Sequence, residues 1–148
     1  MTPEQKALVQ STFTELIPIS DSAARFFYHR LFELDPKLRL LFKGDMQEQG
    51  RKLMQMIGVA VRGLDQLDGL IAPLRALGSR HIDYGVTRED YETVGSALIA
   101  TLEAELGPRF TGETRKAWFA VYDLVASVMQ EQTHSAPNAN GAAVLDIG

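Results

Sequence analysis

His81 is the residue of this chain best placed to do chemistry. It closes an apolar series, Leu67, Leu70, Ile71, Leu74, Leu77 and Gly78, whose spacings of three and four mark one helix face. A neutral imidazole on a core-facing stripe can ligate a buried metal or cofactor. It can equally be a core histidine satisfied by a nearby carbonyl, because a buried polar group needs a partner of any kind. The stripe alone does not separate these two readings. The 148 residues contain no cysteine, which excludes disulfides, thiolate metal sites and cysteine catalysis.

The elements that must position His81 are helical throughout. Thr2 with Pro3 and Gln5 forms a capping box with proline at the first helical position. The helix it opens turns Leu8, Thr12, Phe13 and Leu16 inward. Pro18 and Ser20-Asp21 interrupt it, and a second helix follows with Ala24, Phe27, Tyr28 and Leu31 on one face. Asp35-Pro36 starts a short helix through Leu41. Phe42-Lys43-Gly44-Asp45 is a corner, and Asp45 with Glu48 is a second capping pattern. Leu53, Ile57, Ala60, Val61 and Leu64 form the stripe of the next helix. A loop around Asp65–Leu67 leads to the His81 helix, which Gly85-Val86 ends. Thr87 caps a long helix, with Glu89 and Asp90 complementing its positive end. Tyr91, Val94, Leu98 and Leu102 face inward there, and Gly107-Pro108 stops it. A last helix from about Gly112 to Gln132 turns Trp118, Val121, Tyr122, Val125 and Val128 inward. No strand is expected.

Length favours one domain able to bury a core, and 45% hydrophobic content is ordinary for a globular chain. Net charge of −4 and a pI near 5.3 argue against nucleic-acid binding, which would show a basic patch. No run of 18 apolar residues is present, so no membrane insertion is expected. The opening MTPEQKALVQ has neither a basic n-region nor an apolar h-region, so the expected location is cytoplasmic. Residues 1–134 make the expected domain. The segment 135–148, SAPNANGAAVLDIG, is small, polar and punctuated by Pro and Gly, and is expected to be a flexible tail.

Taken together, this helix order, Phe42 in the corner after Pro36, His81 followed by Gly85-Val86, and the Trp118-x-x-x-Tyr122 spacing resemble a globin over residues 3–132. Tyr28-x-x-Leu31-Phe32, Pro36 and Leu41-Phe42 are similar to bacterial single-domain haemoglobins and the globin half of flavohaemoglobins. Leu77-Gly78-x-Arg80-His81 and Leu106-Gly107-Pro108-x-Phe110-Thr111 are similar to neuroglobin. The resemblance implies an all-α globin fold of seven to eight helices around a haem b pocket. His81 would be the proximal iron ligand, its second ring nitrogen held by a carbonyl near Leu77 or Gly78. Gln49 would stand at the distal position, with Leu53 on the same face and Gln47 as an alternative. Tyr28 would point into the distal pocket. A core role for Tyr28 and a solvated one for Gln49 stay open.

The same resemblance places Phe42, Leu53, Ile57, Leu77, Val86, Tyr91, Val94 and Leu98 around the cofactor. It offers Lys52 and Arg80 as partners of the haem propionates. A Tyr28/Gln49 pair implies high-affinity, reversible binding of O2, and of CO and NO, with slow release. Neuroglobin has a histidine where this chain has Gln49, so a five-coordinate or weakly six-coordinate ferrous state is expected. The alternative is an NO dioxygenase working with an external cellular reductase. Flavohaemoglobins support their proximal histidine with a tyrosine and a glutamate. Tyr91 matches the tyrosine, but the glutamate position falls on Thr133, and Glu131 lies over half a helical turn away. A haem-free interaction module is a third reading, which the joint presence of His81, Phe42, Tyr28 and Gln49 opposes. The expected assembly is a monomer or weak dimer.

Overall fold

A computed structural model describes residues 1–131. The flexible tail expected at 135–148, together with Thr133 and His134, lies outside the described residues. Six α-helices carry the fold: α1 Pro3–Leu16, α2 Ser20–Leu34, α3 Met46–Arg62, α4 Leu67–Asp83, α5 Arg88–Leu106 and α6 Gly112–Gln130. Four 3-10 segments join them, at Ile17–Ile19, Pro36–Leu41, Gly63–Asp65 and Gly107–Arg109. The short helix expected after Asp35 is thus a 3-10 turn, and the break at Pro18 is another. No strand occurs among the described residues.

Side-chain caps set most of the helix starts. Thr2 and Gln5 exchange both capping-box hydrogen bonds at 3.0 and 3.1 Å. Thr87 and Asp90 do the same for α5, at 2.9 and 3.3 Å. Asp35 accepts from the Lys37 amide, and Asp45 from the Gln47 amide. The reciprocal half of the box expected at Asp45 is missing, because Glu48 pairs with Arg51 on the same helix instead. Helix α4 begins at Gln66 with no side-chain cap and carries Pro73 inside it.

Three apolar clusters fill the interior. Val9, Phe13, Leu16, Leu102, Trp118 and Val121 tie α1 to α5 and α6. Phe27, Tyr28, Leu31, Leu38, Phe42 and Ala97 knit α2 and the corner to α5. Leu70, Leu74, Leu77, Tyr91, Val128 and Met129 join α4 to α5 and α6. A cavity opens between the second and third clusters, and side chains of both line it. At the α4–α6 contact, a Cβ on Gly78 would lie 2.2 Å from the Met129 carbonyl oxygen. The two backbones therefore touch at Gly78, three residues before His81.

Candidate functional site

The cavity has a volume of about 170 Å3 and an almost wholly apolar lining. An apolar space of this size holds a hydrophobic guest more readily than water. His81, at the last turn of α4, lines it. The ring Nδ1 lies 2.8 Å from the Leu77 carbonyl oxygen, one turn earlier. Nδ1 therefore carries the proton and donates, leaving the lone pair on Nε2. Burial holds the His81 pKa down to about 4, the Leu77 bond opposes that shift, and the Arg80 charge adds to it. The imidazole is neutral at pH 7, the form that ligates a metal.

Opposite the α4 side stands Tyr28 of α2, buried and lining the same cavity. It sits among aromatic rings. Phe27 and Phe42 meet it edge-on at 5.0 and 5.3 Å between centroids, and Phe32 stacks at 5.9 Å. Burial raises its pKa, and the neighbouring Gln49 side chain partly offsets the rise. The Tyr28 hydroxyl and Gln49 Nε2 are both buried, and neither has a well-formed hydrogen bond beyond their contact with each other. A buried donor satisfied so poorly is costly, on the order of 1–3 kcal/mol. Tyr28 lines the cavity that His81 also lines, which suits a small acceptor placed inside it.

The wall brings together the expected residues Phe42, Leu53, Ile57, Leu77, Val86, Tyr91, Val94 and Leu98. It also takes in Phe27, Leu38, Leu41, Met56, Leu74 and Met129, which the sequence reading missed as cavity residues. Their apolar spacing marked a core but carried no sign of which part of the core stays open. Gln49 is buried beside Tyr28 without lining the cavity, and Lys52 and Arg80 do not line it either. Gln47 is exposed. His29 points outward, its side chain 76% exposed and 3.6 Å from Glu33.

On the proximal side the Tyr91 ring stacks near His81, with centroids 6.4 Å apart and planes inclined by 27°. The Tyr122 hydroxyl donates to the Tyr91 carbonyl at 2.5 Å, fixing that turn of α5. Burial pushes the Tyr91 phenol up to about 12. Glu131 turns away and pairs with Arg75 at 2.9 Å.

A globin model matches residues 25–129. The chain belongs to the globin family. Globins are haem-binding, gas-binding proteins, and this globin shares 32% identity with neuroglobin from Danio rerio over 87% of its own length and 90% of the relative's. It is 29% identical to a flavohemoprotein of Bordetella pertussis over 87% of the chain, spanning only 33% of that longer protein. Among solved structures, an engineered carbene transferase from a Rhodothermus marinus protein assigned as a nitric oxide dioxygenase superposes with a TM-score of 0.80. That match is at 26% identity and covers 89% of this chain and 92% of the other. No helix among the described residues is long and apolar enough to cross a membrane.

The residues fit a haem. No group of three or more His, Cys, Asp or Glu that could hold a metal occurs among the described residues. A lone neutral imidazole in an apolar cavity suits an iron that brings its other ligands with it.

Proposed function

We propose that this globin binds haem b through His81 Nε2 and holds O2 reversibly on the opposite side, with CO and NO as further ligands. The observation that carries the reading is one apolar cavity lined both by a tautomer-locked neutral His81 and by the buried Tyr28, with Gln49 buried beside that tyrosine. The haem, when bound, supplies the iron at which a diatomic gas binds. Everything else is the work of the chain. Leu77 holds the imidazole in the ligating tautomer and raises its donor strength. Leu53, Ile57, Val94 and Leu98 exclude water. The Tyr28 O–H would donate toward negative charge on a gas in the cavity, with the Gln49 amide beside that hydroxyl. Hydrogen bonds to charged groups contribute about 1.5–3 kcal/mol each, so one working donor raises affinity by roughly tenfold to a hundredfold. Most of that gain falls on the off-rate. Glutamine is a poor iron ligand, which supports a five-coordinate or weakly six-coordinate ferrous state. Lys52 and Arg80 are proposed as propionate partners at the rim. The cysteine-free composition is consistent with the cytoplasmic location included in this reading.

A second reading is supported by the flavohemoprotein and Rhodothermus marinus likenesses and by the Tyr91 ring beside His81. In it, NO and O2 combine to nitrate, and one electron returns from an external reductase. Glu131 pairs with Arg75 at an exposed position, which weakens this reading. Laser photolysis and stopped-flow mixing test the first reading. The haem-loaded protein is expected to release O2 slowly, and release as fast with tyrosine present as in Tyr28→Phe would overturn it. Sustained NO consumption with a purified reductase and its reduced cofactor would move the function to the second.

A further inference from the structure

Tyr28 lines two spaces. Besides the apolar cavity, it forms part of a surface groove between α2 and the first turns of α3, with a volume of about 650 Å3. Asp21, Arg25, His29 and Gln47 are exposed at this groove, and Ala24, Phe32, Met46 and Gly50 complete it. Of the aromatic rings around Tyr28, Phe32 lines only the groove and Phe42 only the cavity. Tyr28 therefore stands between the groove and the cavity.

Two further observations bear on whether Tyr28 can move. The Tyr28 hydroxyl has no well-formed hydrogen bond beyond its contact with the Gln49 side chain, so turning the ring gives up little. Helices α2 and α3 also cross at near backbone distance, for a Cβ on Gly50 would lie 2.9 Å from the Ala24 Cβ. Ala24 and Gly50, the small residues at that crossing, line the groove beside Tyr28.

We propose that the α2–α3 groove is the route by which diatomic gases reach and leave the cavity, with the Tyr28 ring as its gate. The inference rests on the haem-globin reading above. It has a kinetic signature of its own. An obstacle on a route slows passage in both directions by the same factor and leaves the equilibrium affinity alone. Loss of a donor to the bound gas instead alters release and affinity together. Gln47→Trp and Arg25→Trp fill the groove from exposed positions outside the cavity, and Met46→Ala widens it.

The test is CO and O2 association by flash photolysis and dissociation by stopped-flow mixing, on the haem-loaded full chain. In the two tryptophan variants both rates are expected to fall together, by about threefold or more, with affinity unchanged. In Met46→Ala both should rise. Unchanged association in both tryptophan variants, with the wild-type Soret band, overturns the route, as does a change in dissociation alone. A wild-type chain that shows no Soret band with haem overturns the underlying reading instead, and the inference falls with it.

Discussion

Tyr28 carries a buried hydroxyl with no well-formed hydrogen bond beyond its contact with Gln49. Stability alone would favour phenylalanine there, since the ring already packs on Phe27, Phe32 and Phe42. Tyr28→Phe is expected to leave the haem-free protein as stable as wild type or more so, by up to about 1–3 kcal/mol in urea unfolding. The same variant is expected to release O2 roughly tenfold faster or more, because it loses a donor to a charged acceptor. This opposition of stability and binding marks a functional residue and would be absent for a core tyrosine. His81 makes a second case. Its pKa of about 4 in the fold lies below the ordinary 6.5, so the unfolded chain binds more protons between those values. The stabilising contribution is complete above pH 6.5 and is lost as pH falls toward 4. Acid unfolding of the haem-free protein should show it, and His81→Phe should flatten the pH dependence in that window. His81 was legible from its apolar stripe as a buried imidazole, whereas the ligand role proposed for it rests on the resemblance carried by Phe42, Tyr28 and Gln49 as well.

At the scale of elements, α4 sets the position of His81 by leaning its backbone on α6. The gap at Gly78 admits no Cβ. Gly78→Ala is expected to push α4 off α6, destabilise the protein by about 1–3 kcal/mol and speed haem loss. Denaturant melts and haem transfer to an acceptor globin measure the two effects. Element starts were legible where a side chain caps them, as at Thr2, Asp35, Asp45 and Thr87. They were less so where none does: α4 begins at Leu67 behind an uncapped Gln66 and a 3-10 turn. The Glu48 half of the cap expected at Asp45 gave way to an ion pair with Arg51, a competition between two nearby partners that spacing does not decide.

The whole molecule is closed by contacts between residues far apart in the chain, and these were the least legible. Trp118 is fully buried, and its indole N–H donates to the Thr12 hydroxyl at 2.9 Å, joining α6 to α1. Thr12 in turn donates to the Leu8 carbonyl at 2.6 Å. Period placed both residues on core faces but could not pair them. Thr12→Val is expected to cost about 1–3 kcal/mol by stranding the indole N–H. Trp118→Ala should cost about 3–5 kcal/mol through the cavity it leaves. Thermal unfolding orders the two. The open space between the α2 and α4 clusters was equally invisible to periodicity, since lining residues and core residues share one pattern. The central claim is that His81 joins a haem to this cavity, and haem titration of His81→Ala against wild type tests it most directly. Wild type is expected to take up one haem with a Soret band of single-imidazole ligation, and the variant to lose that band until imidazole is added. A variant that binds haem with the wild-type spectrum and no imidazole would contradict it.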